Sequence, residues 1–124
     1  MKITTFNPQI ITKDAGSLVE LFEKLGFSKR HKKEGLGEMD VTGIRMKDEN
    51  GFYLDISQPD LDILDRDLIA IRMNVDDFDE AYKLLMDHGF KNIYGDKFIE
   101  DGSSKAAVML SSTGFAINLV QHIK

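Results

Sequence analysis

The sequence of 124 residues contains no cysteine, which excludes a disulfide framework, a thiol nucleophile and thiolate metal ligands. No apolar run approaches the roughly 20 residues that a membrane-spanning helix needs, so we expect no membrane partner. The N-terminal segment lacks the apolar core of a signal peptide, and we therefore expect a cytoplasmic protein. The net charge is −5, whereas nucleic-acid partners usually meet a basic surface, so we expect no nucleic-acid partner.

Several catalytic motifs are also missing. The sequence has no phosphate-binding glycine loop, no HExxH motif and no recognisable motif of a Ser-His-Asp catalytic triad. Hydrolase or nucleotide-binding functions therefore have no support. Of the three histidines, His88 falls at the predicted end of a helix, where the helix dipole explains it, and His122 lies near the C-terminus. Only His31 is a candidate to reach a binding site, although the basic run around it, 29–33, is typical of a solvated strand or turn.

What the sequence does contain is the composition of one ordinary globular domain. Hydrophobic residues make up 42% and charged residues 30% of the chain. A chain of 124 residues is long enough to bury one core of ordinary size. We therefore expect a single domain.

One stretch of the sequence occurs twice, at 51–58 and again, 63 residues later, at 114–121. Each copy begins with Gly-Phe and places aliphatic residues at alternate positions, which predicts a strand entered from a glycine turn. The same offset aligns Asp14 with Asp77, two predicted helix caps, and Gly26 with Gly89, two predicted helix ends. Because the identities fall where the backbone restricts the residue type, we infer two copies of one structural module.

Each copy is predicted to contain a strand, a helix and three further strands. The predicted strands cover 2–12, 28–34, 38–47 and 52–58 in the first copy, and 68–75, 91–100, 106–111 and 115–121 in the second. Pro8 cannot donate to a ladder, so the first strand is predicted at a sheet edge. The acidic segment 59–67 is predicted to be a linker. The predicted fold class is α+β, one domain with modules 1–58 and 68–124.

Two tandem βαβββ modules in a chain of this length resemble the plan of the vicinal oxygen chelate superfamily, the glyoxalase and bleomycin-resistance-like proteins. The resemblance covers essentially the whole chain. It implies that each module forms a curved four-stranded sheet, that the two sheets pair around a cleft, and that the protein binds a small molecule and forms a homodimer. The family includes metal-dependent isomerases, ring-cleaving dioxygenases and metal-free drug-binding proteins, so the fold alone does not select an activity.

The resemblance also implies where a metal would bind. In metal-dependent members the ligands come from the first and last strands of both modules, which correspond here to Asn7, Asp55, Ala70 and Asn118. Only Asp55 is anionic, whereas a catalytic metal site normally has three good protein ligands. We therefore predict no metal and no other cofactor. The alternative is a divalent metal at an atypical site, in a lyase, isomerase or dioxygenase of the same superfamily.

Alternation along the strands predicts which polar side chains share the ligand face. If Phe52, Leu54 and Ile56 bury against the helix, Tyr53 and Asp55 face the other way. The predicted ligand-binding residues are Asn7, Gln9, Tyr53, Asp55, Arg72 and Asn118.

The charge of Asp55 needs compensation in a partly dry site, and we consider an ion pair between Asp55 and Arg72 in place of the metal. The alternative is that both side chains are solvated. No catalytic residue is identified, although Asp55 is a candidate general base with Arg72 or Arg45 as its second group. The orientation of Arg45 is left open.

We therefore expect a metal-free binding protein rather than an enzyme. The acidic total and Asp55 favour a polar or cationic ligand. A third reading is an interaction module that dimerises through its sheet edges.

Overall fold

The computed structural model describes residues 1–36, 41–59 and 65–123, with only the backbone of residues 35 and 36. In these ranges the element order is β1 (Ile3–Ile11), α1 (Ala15–Lys24), β2 (Ser28–Leu36), β3 (Val41–Lys47), β4 (Tyr53–Gln58), β5 (Leu68–Val75), α2 (Phe78–Asp87), β6 (Lys91–Asn92), β7 (Ile99–Glu100), β8 (Ser104–Leu110) and β9 (Ala116–His122). The predicted α+β class and the repeated βαβββ order are confirmed. The predicted linker at 59–67 lies partly outside the described residues. Neither helix in these ranges is long and apolar enough to cross a membrane.

The chain divides into two compact units. The N-terminal unit is Asn7–Ile69, and the C-terminal unit is Met1–Phe6 together with Ala70–Lys124. Strand β1 therefore begins in one unit and ends in the other. Inside the C-terminal unit, Lys2 holds the first residues in place, because its carbonyl accepts from Asp76 N at 3.1 Å and its amide donates to Asp76 Oδ1 at 2.6 Å.

The sheet of the N-terminal unit has the strand order β2-β3-β4-β1, with β1 parallel to β4 and the other pairs antiparallel. One face packs against α1 and forms a core of Ala15, Val19, Ile44, Met46, Leu54 and Ile56. Because side chains alternate between the faces of a strand, the residues between these apolar positions point away from the helix. That second face carries the candidate site.

The sheet of the C-terminal unit has the order β5-β9-β8-β6, and β7 also pairs with β8. Its core includes Val75, Phe78, Ala81, Ala107, Met109 and Leu119. The single strand predicted at 91–100 is wrong, because β6 and β7 have two residues each and a turn separates them. Asn92 explains the interruption, since its side chain donates to Lys97 O at 2.9 Å and accepts from Tyr94 N at 2.9 Å.

The repeat extends to single hydrogen bonds. Gln58 at the end of β4 accepts from Ala15 N at 2.9 Å, and Gln121 of β9 accepts from Phe78 N at 2.7 Å. In both units a glutamine of the last strand therefore satisfies a free amide in the first turn of the helix. Gly51 and Gly114 both have left-handed backbones, with φ of 89° and 100°, at the turn that leads into that strand.

The expected burial of Phe52 is wrong. Its side chain is 65% exposed, and the corresponding Phe115 is 44% exposed. Both phenylalanines precede their strands and belong to the turn, where Phe52 N donates to Asp48 Oδ1 at 2.8 Å. The alternation that buries Leu54 and Ile56 therefore starts only at Tyr53.

The turn before β8 is built around the carboxylate of Asp101. Its Oδ1 accepts from the backbone amides of Ser103 and Ser104 at 3.0 and 2.8 Å, and from both hydroxyls. Desolvation raises the pKa of Asp101, but the hydrogen bonds outweigh it, and the pKa of the folded chain lies well below the ordinary value.

Candidate ligand-binding site

Four residues form a row across the face of the N-terminal sheet that points away from α1. His31 of β2 lies opposite Arg45 of β3, Arg45 lies opposite Asp55 of β4, and Gln9 of β1 also lies opposite Asp55. Residues directly opposite each other on neighbouring strands point to the same face of a sheet. The register thus brings two strands, β1 and β3, to Asp55 on β4.

Asp55 is a buried carboxylate with defined partners. The residue is 4% exposed, and its Oδ2 accepts from Asn7 Nδ2 at 2.7 Å and from Arg45 Nη1 at 3.0 Å. A buried carboxylate needs a cation and hydrogen bonds, because desolvation otherwise disfavours its charge. In the N-terminal unit, Arg45 supplies that cation.

Arg45 is held on two sides. Its guanidinium carbon lies 4.1 Å from the centre of the Tyr53 ring, and Lys47 Nζ lies 5.1 Å from the same ring. Within the described part of the chain, the hydrogen bond to Asp55 is the only one that the side chain of Arg45 makes. A guanidinium carries five N–H donors, so most of its donors are uncommitted. The side chain is 22% exposed, which leaves it accessible to a bound molecule.

Asn7 is fixed by both hydrogens of its amide. Nδ2 donates to Asp55 Oδ2 at 2.7 Å and to Pro8 O at 2.9 Å. A flipped amide would direct its oxygen at these two acceptors, so the orientation is determined by its neighbours. Its Oδ1 is buried and accepts no hydrogen bond from any of the described residues.

The structure brings four of the six predicted ligand-binding residues together in the N-terminal unit. They are Asn7, Gln9, Tyr53 and Asp55. Their predicted common face is confirmed, although the role of each in binding stays a prediction.

The other two predicted residues, Arg72 and Asn118, lie opposite each other in the C-terminal unit. Arg72 Nε donates to Asn74 Oδ1 at 3.1 Å. The pair occupies the positions that correspond to Gln9 and Asp55 at the 63-residue offset. Since Arg72 and Asp55 belong to different units, the proposed ion pair between them stays a prediction.

Sequence reasoning left the key role of Arg45 undecided, although two signals identify it. Ile44 and Met46 are apolar, so Arg45 must occupy the face opposite the core. The turn after Lys47 then fixes the register, with Lys47 opposite Tyr53 and therefore Arg45 opposite Asp55.

The donor set does not fit a catalytic divalent metal. Among residues 1–36, 41–59 and 65–123, no group of three or more His, Cys, Asp and Glu side chains is placed to hold a metal ion. Among the described residues of the face that points away from α1, Asp55 is the one carboxylate, and it already binds a guanidinium through Oδ2. At position 70 the side chain is a buried alanine, which offers no ligand atom. The expectation of a metal-free protein stays a prediction.

The described part of this face carries more positive than negative charge. Lys33 lies opposite Gly43 and therefore on the face of Arg45, and Lys47 lies two residues further along β3. Against these three cations, Asp55 is the one acidic side chain that the described strands direct to this face. The chain as a whole has a net charge of −5, so the local excess is opposite in sign to the total.

Comparison with known proteins gives structural neighbours only. No family model matches the chain, and no curated protein sequence matches it. A methylmalonyl-CoA epimerase from Mycobacterium tuberculosis matches with a TM-score of 0.66 at 15% sequence identity, over 98% of this chain and 90% of that one. A methylmalonyl-CoA epimerase in complex with methylmalonyl-CoA and NH4+ has a TM-score of 0.63 at 17% identity, covering 98% and 96% of the two chains. A glyoxalase/bleomycin resistance protein/dioxygenase superfamily member from Vibrio splendidus 12B01 has a TM-score of 0.57 at 10% identity, covering 97% and 99%.

Proposed function

We infer that this chain, which has the fold of the vicinal oxygen chelate superfamily, binds a small organic acid without the help of a metal. The proposed site is the face of the N-terminal sheet that points away from α1. The observation that carries the proposal is the arrangement of Arg45, which Asp55 and the Tyr53 ring hold in place while most of its donors stay uncommitted.

An arginine held in this way is suited to an anionic ligand. The planar guanidinium matches a carboxylate in a two-point contact, and its conformational freedom is already restricted before binding. The charge of Asp55 is compensated by Arg45, and Lys47 adds a further cation beside Tyr53. The net charge and Asp55 favoured a polar or cationic ligand, whereas the arrangement of Arg45 and Lys47 favours an organic anion.

The structural neighbours support a small-molecule ligand. One of them was solved with methylmalonyl-CoA, an organic anion, at 17% sequence identity to this chain. The proposal retains two expectations from the sequence, a homodimer and a cytoplasmic location. A measurement of molecular mass at several protein concentrations tests the dimer.

The proposal is tested by titrating the chain with propionate, phenylacetate and succinate, each compared with its uncharged amide, by isothermal titration calorimetry. We expect the acids to bind and the amides not to bind. A double variant, Arg45→Gln with Asp55→Asn, keeps a neutral hydrogen-bonding pair and is expected to weaken acid binding at least about tenfold. Arg30→Gln, which removes one arginine charge from the exposed edge strand β2, serves as the control for a change of surface charge away from the site.

Besides a failure of every acid to bind, two results would contradict the proposal. Equal binding of acids and amides would show that charge is not recognised. A stoichiometric metal, retained after incubation with nickel, cobalt, manganese, zinc or iron(II) and lost in Asp55→Ala, would instead favour the metal-dependent enzyme.

A further inference from the structure

We propose further that the ligand is a small hydroxy acid or amino acid, whose hydroxyl or amino group donates to Asn7 Oδ1 while its carboxylate binds Arg45. This inference rests on the proposed binding of an organic acid and narrows it to a chemical class. It concerns one atom that the described contacts of the folded chain leave without a donor.

Asn7 Oδ1 is an acceptor in need of a donor. The residue is 8% exposed, and Oδ1 itself is buried without a hydrogen bond from the described residues. More than nine-tenths of buried polar groups in native structures have a partner, so such an atom requires an explanation. A bound donor group supplies one.

The unpaired oxygen is not an error of amide orientation. Both hydrogens of Nδ2 are engaged, one by Asp55 Oδ2 and one by Pro8 O. Exchange of the oxygen and nitrogen positions would replace two hydrogen bonds by two contacts between acceptors. Position 7 therefore presents an acceptor that is fixed in place, and it selects for a donor.

The acceptor lies within reach of the cation. Asn7 Nδ2 and Arg45 Nη1 both donate to the same atom, Asp55 Oδ2, at 2.7 and 3.0 Å. One molecule can therefore meet both residues. Because Oδ1 has less than 1 Å² of accessible surface, a donor reaches it only when a neighbouring side chain shifts, and a hydroxyl or an amino group needs a smaller shift than a bulky donor. A 2-hydroxy or 2-amino acid carries this donor on the carbon next to its carboxylate.

The repeat indicates that this arrangement is not part of the framework of the module. Helix caps and glycine turns occur in both copies, because the fold requires them twice. Asn7 and Arg45 correspond at the 63-residue offset to Ala70 and Val108, which have neither a charge nor a polar side chain. The Asn7–Asp55–Arg45 cluster is therefore present in one copy only, as expected for a ligand site rather than for a structural device.

The experiment compares acids that differ by one donor group, in the unsubstituted 124-residue chain, by isothermal titration calorimetry. The probes are propionate against lactate and free alanine, and phenylacetate against mandelate and phenylglycine. In at least one series we expect the acid with the donor to bind at least about tenfold more tightly, since a site built around a buried acceptor discriminates against ligands that leave it unpaired. The preference is expected to vanish in Asn7→Ala.

Asn92→Ala is the matched control, because Asn92 is a similarly buried asparagine whose amide oxygen already accepts from Tyr94 N. It should retain the preference. Equal binding of all three members of each series to the natural chain would overturn this inference and leave acid binding intact. The absence of binding by every acid would overturn the proposed function as well. If Asn7→Ala does not fold, the comparison in the natural chain alone decides.

Discussion

Replacement of Arg45 by glutamine removes the cation that contacts a buried carboxylate. The Asp55 side chain is 6% exposed, Arg45 is 22% exposed, and the pair is 3.0 Å apart. Removing one partner of a fully buried ion pair costs about 3–5 kcal/mol, whereas exposed pairs contribute about 0–1 kcal/mol. Since one partner here is buried and the other partly exposed, we expect Arg45→Gln to lower the free energy of unfolding by about 2–3 kcal/mol.

Asp55→Asn, alone and combined with Arg45→Gln, separates the energy of the ion pair from the other effects of replacing Arg45. Asp55→Asn alone is expected to cost about 1–2 kcal/mol, because the partly exposed Arg45 keeps access to water. The double variant should lower the free energy of unfolding by no more than Arg45→Gln alone does, since its two amides can hydrogen-bond to each other without a buried charge. The expected coupling energy from this double-mutant cycle is therefore at least about 1–2 kcal/mol, the cost of Asp55→Asn alone.

The assay is urea-induced unfolding followed by circular dichroism at pH 7. The slope of the free energy against urea concentration must agree among the four proteins, so that the same surface is exposed in each case. Arg30→Gln, on the exposed edge strand, should change stability by no more than about 0.5 kcal/mol. A coupling energy below about 0.5 kcal/mol would refute the reasoning, because Asp55 would then not depend on Arg45 for its charge.

Three further predictions concern the framework. Gln58→Leu should lower the free energy of unfolding by about 1 kcal/mol, because it removes the hydrogen bond to the first turn of α1. Gln121→Leu should lower it by more, because Gln121 accepts from the first turn of α2 and also donates to Asp76 O at 2.9 Å. Urea unfolding measures both changes. Gly51→Ala should lower the unfolding free energy by about 1 kcal/mol or more, since φ is 89° there, and an unchanged urea midpoint would contradict this. The pKa of Asp101 is lowered on folding, so its contribution to stability is present above the ordinary value of 3.8 and is lost as the pH falls through the lowered value. Asp101→Asn should therefore be less stable than the natural chain at pH 7, and the difference should shrink below pH 3.8.

The architecture could be predicted from the sequence because the repeat marks positions at which the backbone restricts the residue. Asp14 and Asp77 cap their helices as predicted, with Oδ1 accepting from Ser17 N at 3.2 Å and from Glu80 N at 3.1 Å. These are local signals, which depend on a few neighbouring residues and not on how distant strands pair. The strand prediction failed at 91–100, because the side chain of Asn92 hydrogen-bonds to the backbone of Tyr94 and Lys97 and stabilises a turn there.

The candidate site was only partly predictable, because it depends on register between distant strands. Alternation placed Tyr53 and Asp55 on one face, and that face was confirmed. The pairing of Arg45 with Asp55 follows from the length of one turn and from the apolar residues on either side of Arg45, which the sequence contains. The contact between Asn7 and Asp55 depends on the parallel pairing of β1 with β4, which no local signal determines.

Strand β1 also bears on how the chain arose. A tandem duplication begins as two equivalent copies, each of which encodes all the parts of its own unit. Here the first six residues of the first copy are grouped with the unit built from the second, as Lys2 and Asp76 illustrate by their two hydrogen bonds. A cut between the two copies would therefore separate residues 1–6 from the unit with which they are grouped.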